Sequence, residues 1–287
     1  MKTIALIFSI AIFNLVTLSS GIAHEEEDQV KLSFSNPNKP GFIHIEIFQG
    51  DINIEGYAGK EVIIETYSGE YKSDIPEIPA IPQPYVHEKD NEEISKEGLK
   101  KIKSSTFELK ITEEENKITI KSGYPMNYQN YKIKVPYDCS FKISIVNGNI
   151  SVKDIKGELE INTVNGQINL AKITGSAVAS TVNGTIKVGF KEVTPDAPMA
   201  FSTINSPIDV TLPSDIKATL KIKTERGDIY SNFDMDIKEE QEKSHKEYKH
   251  DFTATSWSRW TTGKINGGGP ELVFKSLHGD IHIRKGE

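Results

Sequence analysis

The residues best suited to chemistry form an alternating group near the carboxyl end of the chain: His278, Asp280 and His282. Alternate residues of a β-strand share one face, so this group could offer two imidazoles and a carboxylate to a metal ion. His44 and Glu46 form a similar pair on an earlier apolar stretch. Because the outward positions of a strand are polar in any case, we interpret both groups as surface residues and predict no metal site.

The other candidate groups lack the partners that catalysis needs. Cys139 is the only cysteine, so an intramolecular disulfide is impossible, and without a nearby histidine this residue suits burial better than nucleophilic attack. Gly267-Gly268-Gly269 lacks the Lys-Ser/Thr pair of a phosphate-binding loop, which favours a simple bend. No nucleophile elbow, paired-cysteine motif or His-Glu-x-x-His helix occurs. The sequence therefore predicts no catalytic residue and no cofactor.

The two tryptophans, Trp257 and Trp260, lie close together in the sequence. Exposed tryptophans would suit stacking on a sugar or contact with a partner protein. The end of a repeat array must also be covered, and we predict that these two side chains cover it.

A Val-Asn-Gly motif recurs through the middle of the chain at a constant spacing. Asn147, Asn165 and Asn183 are 18 residues apart, and degenerate copies lie on both sides of them. The predicted turn residues of all the copies are Gly50, Asn147, Gly148, Asn165, Gly166, Asn183, Gly184, Asn205, Gly227 and Gly279. Asn and Gly tolerate positive φ, which permits a sharp bend, and we assign the valine to the interior. The motif thus predicts a structural scaffold.

Each turn is followed by apolar residues at alternate positions, which is typical of a half-buried strand. Two short strands and two bends account for one period. Stacked periods would align two inner columns, which are Ile150, Ile168, Ile186 and Ile208, and Val152, Leu170, Val188 and Val210. The pattern predicts an all-β fold, a single β-solenoid-like domain (β-helix or β-roll) with rungs of about 18–22 residues. An antiparallel meander also fits the alternation.

Two segments interrupt the predicted repeat domain, which covers residues 39–287. Residues 72–105 carry four prolines and a charged run, and because proline disrupts strand pairing we predict an exposed insertion there. Residues 238–251 mix charges of both signs and are predicted to form a charged loop. Pro207 cannot donate a backbone hydrogen bond, which places it at a corner of the repeat.

The amino terminus has the layout of a cleavable export signal. A lysine, a short apolar run and small residues precede an acidic stretch, which predicts a signal peptide over residues 1–23 cut between Ala23 and His24. Residues 24–38 would then be a flexible start of the mature chain. An uncleaved anchor is the alternative, although the apolar run is shorter than the ~20 residues of a spanning helix. No transmembrane segment is predicted after cleavage.

The charge balance gives no sign of a nucleic-acid partner. The chain has 34 basic and 41 acidic residues and a formal net charge of −7. Nucleic-acid binding requires a cluster of lysine and arginine. The sequence contains no such cluster and therefore predicts no nucleic-acid binding.

The chain resembles the bacterial putative-adhesin family of β-strand-repeat proteins of unknown function, which is related to the head GIN domain adhesins. The resemblance rests on the Val-Asn-Gly units, on residues 207–213 with 217–220, and on the closing run 265–283. It implies a β-solenoid-like domain of the cell envelope, with adhesion proposed for the family and no catalytic residues. Residues 205–207 depart from the pattern, since Asn-Ser-Pro stands where Asn-Gly is expected.

We therefore expect an exported, non-enzymatic scaffold of the periplasm, the outer surface or the medium. It would be structural or adhesive and would bind an unknown protein or glycan of the cell envelope. A sensing module that works through protein contacts is an alternative, and a polysaccharide-active β-helix enzyme is another. Such an enzyme needs ionisable groups that converge on a groove, whereas the predicted outward residues are poor in carboxylates: Asn149, Ser151, Gln167, Asn169, Thr185 and Lys187.

Overall fold

The computed structural model describes residues 28–68, 109–122, 128–244 and 256–286, which form twenty β-strands and no helix. The all-β prediction is confirmed. Backbone hydrogen bonds join all of these strands into one curled sheet. The strands are β1 (Asp28–Ser33), β2 (Gly41–Gln49), β3 (Ile52–Tyr57), β4 (Glu61–Ser68), β5 (Leu109–Glu114), β6 (Lys117–Ser122), β7 (Gln129–Pro136), β8 (Cys139–Asn147), β9 (Ile150–Lys153), β10 (Lys156–Asn165), β11 (Ile168–Ser180), β12 (Ile186–Val193), β13 (Met199–Thr203), β14 (Ile208–Leu212), β15 (Ala218–Arg226), β16 (Ile229–Ser231), β17 (Asp236–Ser244), β18 (Ser256–Ile265), β19 (Glu271–His278) and β20 (Ile281–Lys285).

The repeating unit consists of a front strand, a turn and a back strand. In one unit β8 leads through the turn at Gly148 into β9, and in the next β10 leads through Gly166 into β11. Front strands pair in parallel with front strands of neighbouring units, and back strands pair in parallel with back strands. The long strand β11 serves two units, because its first residues pair with β9 and its last residues pair with β13. Parallel pairing excludes a meander for the repeat.

The two predicted inner columns are confirmed by the strand register. Ile168 lies opposite Ile150 on one side and Ile186 on the other, and Ile186 in turn lies opposite Ile208. Val152, Leu170, Val188 and Val210 align in the same way. All of these side chains are buried in a single apolar core that is filled mainly by Ile, Val, Leu and Phe. Burial of these columns supplies the main favourable term for folding.

The order of the units in space differs from their order in the chain. From one end to the other the units are β6–β7, β2–β3, β8–β9, β10–β11, β11–β12, β13–β14, β19–β20 and β15–β16. The first Gly-turn unit, β2–β3, thus lies between two later ones. The last unit, β19–β20, likewise lies between β13–β14 and β15–β16.

Antiparallel strands close both ends of the array. At one end β5 pairs with β6, while β4 pairs with β7 and β1. At the other end β18 pairs with β15 and β17. Phe34 and Phe233 are buried near these ends and Met235 packs against the core, whereas Trp260 is not part of the core. Trp260 instead lies over Lys221 and Lys223, outside the core, and the side chain of Trp257 lies outside the described part of the chain.

Two predicted flexible or loop segments contain strands. Residues 28–33 of the predicted flexible start form β1, which pairs with β4. The predicted charged loop at 238–251 is wrong for 238–244, which belong to β17. Residues 238–244 are rich in lysine and glutamate, which suit the edge strand of a sheet because charges discourage pairing with another chain. The position of β17 at an edge of the sheet therefore explains why a strand can form from such charged residues.

Several predicted segments lie outside the described residues. These are the signal peptide with the Ala23–His24 cleavage site, the proline-rich insertion at 72–105, and residues 245–251. Within the described ranges no helix is long and apolar enough to cross a membrane.

Candidate interaction surface at the stacked turns

The glycine of each turn is required by the close approach of the neighbouring turn. A Cβ atom on Gly166 would collide with the carbonyl oxygen of Gly148, and one on Gly184 would collide with that of Gly166. The same holds for Gly148 against Gly50 and for Gly227 against Gly279. The predicted turn glycines are therefore brought into one line along the array, although they come from distant parts of the sequence.

The turn asparagines form a ladder of side-chain hydrogen bonds. Asn165 Nδ2 donates to Asn147 Oδ1 at 2.8 Å, Asn183 Nδ2 to Asn165 Oδ1 at 2.8 Å, and Asn205 Nδ2 to Asn183 Oδ1 at 2.7 Å. None of these residues has positive φ, so the predicted backbone reason for asparagine is wrong. Asparagine is used because its amide both donates and accepts, which lets one ladder run through successive units.

A row of threonine hydroxyls lies beneath the turns, with Thr181 and Thr203 buried and Thr224 half-buried. Thr181 Oγ1 donates to the carbonyl oxygen of Gly166 at 3.2 Å, and Thr203 Oγ1 donates to that of Gly184 at 3.3 Å. Thr224 Oγ1 does the same for Gly279 at 3.0 Å. Buried carbonyls need such partners, and these three threonines tie their turns to the neighbouring unit from the inside. The hydroxyl of Thr163, at the equivalent position of the β10–β11 unit, is buried without a hydrogen-bond partner.

The apolar residue before each asparagine faces outward, which corrects the predicted burial of the motif valine. Val164 is 41% exposed, and Ile204 and Leu277 are each 40% exposed. Val146 and Val182 are half-buried at the equivalent positions. The inward position is taken by the residue before it, such as the buried Thr163.

These five apolar side chains form a continuous ridge on the front outer face. The register places Val164 beside Val146, and backbone hydrogen bonds connect Asn183 to Val164, Asn205 to Val182 and His278 to Ile204. We call Val146, Val164, Val182, Ile204 and Leu277 the apolar ridge. With strands about 4.8 Å apart, it is about 20 Å long.

Small polar residues run beside the apolar ridge. Ser144, Asn162, Ser180 and Ser202 are aligned in register on the neighbouring strands. Ser180 Oγ donates to Asn162 Oδ1 at 2.6 Å. Beyond them Val178, which is also exposed, is aligned with Ala200. This part of the front outer face therefore combines aliphatic and small polar side chains.

Lysines and Trp260 border this face on the side of β15. Lys221 Nζ lies 4.9 Å and Lys223 Nζ 5.7 Å from the centre of the Trp260 ring. Lys275 lies opposite Lys223 on the adjacent strand. A cation over an aromatic face is attracted by the ring quadrupole. Lys223 is also paired with Glu225 at 3.1 Å, so the positive charge of this border comes from Lys221 and Lys275.

The sequence of the turn at residues 205–207 changes its hydrogen bonding. Ser206 takes the place of the glycine, and its hydroxyl donates to the carbonyl oxygen of Asn205 at 2.6 Å. Pro207 lies in the corner before β14, as predicted. Asn205 still continues the asparagine ladder and contacts His278 Nδ1 at 3.1 Å.

The alternating His278, Asp280 and His282 do not converge on one point. Gly279 separates the front strand that carries His278 from the back strand that carries His282. His278 contacts Asn205, Asp280 accepts a hydrogen bond from the backbone of Asp228 at 2.9 Å, and His282 stacks on Tyr230. Each of the three has a separate structural contact, and within the described ranges no group of three potential ligands could hold a metal.

His44 and Glu46 lie on the front outer face, far from the turn. Their Nε2 and Oε1 atoms are 3.1 Å apart, and Lys121 contacts the same carboxylate. Partial burial lowers the pKa of His44, while the hydrogen bond from Lys121 lowers the pKa of Glu46. These shifts favour a neutral imidazole beside a paired carboxylate.

The three-glycine stretch forms a bend between β18 and β19, as predicted. Gly267 and Gly268 both have positive φ, at 86° and 87°. Gly268 and Gly269 line a cleft of ≈ 700 Å³ with charged residues of both signs, among them Lys217 and Asp215. The mixed charges do not single out one class of ligand.

Comparisons with known proteins give little similarity. No family model matches the chain, and no curated protein matches its sequence. Among solved structures, a crystal structure described as a putative cell adhesion protein from Clostridium sporogenes ATCC 15579 is similar with a TM-score of 0.44 and 10% sequence identity. The similarity covers 91% of this chain and 100% of that one.

Proposed function

We propose that this protein is an exported, non-enzymatic β-solenoid scaffold of the cell envelope that binds a partner protein through the apolar ridge. The observation that carries the proposal is an outward apolar side chain at the same position of five successive units, exposed in three of them and half-buried in two. In a soluble repeat this outward position would be polar, as it is on the neighbouring row of serines. A contiguous exposed apolar patch is a feature of interaction sites.

The chemistry of the ridge favours a protein over a glycan. Its side chains are aliphatic, and Val164, Ile204 and Leu277 present no hydrogen-bonding groups. Sugars are bound by aromatic platforms and by polar groups that match their hydroxyls. An aliphatic ridge beside serines and asparagines is better matched to another protein surface, where a polar rim surrounds an apolar centre.

The positive border gives the proposed contact a direction. Lys221 and Lys275 lie at one end of the front face, on either side of Lys223, which is paired with Glu225. Opposite potentials at the two sides of an interface increase the rate of encounter and fix its orientation. The partner would therefore carry acidic side chains at the end that faces these lysines.

The stacked units support a role as a stiff scaffold. Strand pairing ties the units to their neighbours, the asparagine ladder adds side-chain bonds from β8–β9 to β13–β14, and threonine hydroxyls bind the turn carbonyls of three units. Repeats stacked in this way hold equivalent residues at fixed intervals and create extended binding surfaces. The ridge is an example, since its spacing follows from the distance between strands.

The test is the introduction of charge on the ridge. A Val164→Lys/Ile204→Lys variant should reduce the amount of protein that sediments with envelope fragments of the producing cells about tenfold, equivalent to about 1.4 kcal/mol of binding free energy. Asn53→Lys/Asn169→Lys adds the same charge to the back outer face, where both side chains are exposed, and should bind like the wild type. Thermal unfolding of both variants confirms that each is folded.

Equal retention of the ridge variant and the wild type would refute binding through the ridge. The non-enzymatic part has its own test, a screen of the wild-type protein on envelope glycans. Turnover that is lost on His278→Ala or His282→Ala would overturn that part, while the outcome of the sedimentation experiment would be unaffected.

A further inference from the structure

The turns contain a chemical group that can react without an enzyme. In an Asn-Gly pair the glycine nitrogen can attack the side-chain carbonyl carbon of asparagine, forming a C–N bond and a five-membered succinimide while ammonia leaves. Water then opens the ring to aspartate or isoaspartate. Glycine permits this reaction because it has no Cβ to hinder the approach. Three such pairs are stacked in the array, at Asn147, Asn165 and Asn183.

In two of the three pairs the attacking nitrogen is held by a hydrogen bond. The N–H of Gly148 donates to the carbonyl oxygen of Asn165, and the N–H of Gly166 donates to that of Asn183, both at 2.9 Å. These bonds fix each glycine amide toward the next unit. Attack on the side chain would require the bond to break first.

The third pair lacks this protection because of the altered turn that follows it. By the pattern of the repeat, the N–H of Gly184 would donate to the carbonyl oxygen of Asn205. That oxygen instead accepts the hydroxyl of Ser206 at 2.6 Å. Among the described residues, the N–H of Gly184 has no acceptor.

The surroundings of the third pair differ in two further ways. Asn183 is exposed, whereas Asn147 and Asn165 are half-buried. Residues 181–185 also lie outside the regular strands, apart from a single bridge between Asn183 and Asn165. Both features give water and base easier access to this pair.

We propose that Asn183-Gly184 is a site of spontaneous deamidation and that the stacked pairs at Asn147 and Asn165 are protected by the fold. The reaction would place a carboxylate within the asparagine ladder. Asn183 Nδ2 now donates to Asn165 Oδ1, and its replacement by oxygen would set two acceptors against each other. The product therefore weakens the ladder between the β10–β11 unit and the β13–β14 unit.

The experiment compares the three sites within one molecule. Folded protein is incubated in mildly alkaline buffer, and peptide mass spectrometry follows the conversion of each asparagine with time. Asn183 should react about tenfold faster than Asn147 or Asn165, since each 1.36 kcal/mol of barrier is a factor of ten and one hydrogen bond contributes about that much. In urea the three sites should react at similar rates, because their local sequences are alike. Equal rates in the folded protein would overturn the proposal.

Variants of Ser206 test the cause. Ser206→Ala removes the competing hydroxyl and frees the Asn205 carbonyl, so the reaction of Asn183 should slow toward that of Asn165. Ser206→Thr keeps the hydroxyl and should react like the wild type. An unchanged rate in Ser206→Ala, with a normal thermal transition, would contradict the role of Ser206. Asn266-Gly267 provides a further comparison, because Asn266 Nδ2 is held by the carbonyl of Ile216 at 2.8 Å.

Discussion

The three residues of the turn motif point in three directions. In the β10–β11 unit Val164 faces the solvent, the Asn165 amide lies along the array, and Gly166 fills the gap between two turns. Each position therefore requires a different residue type. The valine gives an apolar outer surface, the asparagine pairs its amide with the next unit, and the glycine has no side chain that would collide with the neighbouring turn. The motif therefore carries information about both the scaffold and its outer face.

Substitution of Gly166 by alanine should destabilise the protein. The added Cβ would collide with the Gly148 carbonyl, so we expect a loss of more than about 1 kcal/mol in the free energy of unfolding. Gly189→Ala is the matched control, because its Cβ would meet only the Leu170 carbonyl, at 3.9 Å. Urea unfolding compares the two variants, and an equal effect would argue against steric contact between turns.

Cys139 should be unreactive in the folded protein. The residue is fully buried, and burial raises the pKa of its thiol to about 12. The thiolate is the reactive form, so at pH 8 a thiol reagent should label the unfolded chain at once and the native chain only as it unfolds. Rapid labelling of native protein would contradict this burial.

The strand elements were largely predictable because their alternation is regular. Ile150, Val152 and their equivalents occupy the inner columns that the period indicates. However, the alternation of inward and outward positions does not continue in phase through each turn. Where two apolar residues are adjacent, such as Ile145 and Val146, the pattern does not show which of them faces inward. The sequence alone therefore placed the valine in the core, and only the strand register shows that it faces outward.

A pair of isoleucines in one unit distinguishes the inner column from the apolar ridge. Ile208 is fully buried on β14, whereas Ile204 is 40% exposed just before it. Ile208→Ala should cost about 2–5 kcal/mol of unfolding free energy, and Ile204→Ala should change it by less than about 0.5 kcal/mol. Thermal or urea unfolding measures both, and similar losses would show that the ridge belongs to the core.

The arrangement of the whole molecule could not be read from the period. Gly50 stacks on Gly148, although no unit with a constant spacing connects them, and Gly279 lies between Ser206 and Gly227. A local period specifies which residues are equivalent but not which distant units pair. For the same reason the full length of the apolar ridge could not be predicted. Leu277 belongs to it only because the β19–β20 unit lies beside the β13–β14 unit.

Truncation at the two ends should have unequal effects. Removal of residues 271–287 takes away β19 and β20, which pair on both sides within the array, and we expect loss of the cooperative unfolding transition. Removal of residues 1–33 takes away β1, which pairs only with β4 among the described strands, and should lower the melting temperature while the transition remains. A cooperative transition after the first truncation would show that β19–β20 is dispensable.

The position of β19–β20 between two earlier units also affects the order in which the units can fold during synthesis. Units β8 to β14 can assemble in the order in which they emerge, because each pairs with its predecessor. β15 and β16 emerge next, but their parallel partners β19 and β20 emerge only after β17 and β18, so until then β15 can pair only with the antiparallel strand β18. Residues 271–285 thus connect two parts of the array that are made earlier, and the parallel pairing of the described units is complete only after these residues have emerged.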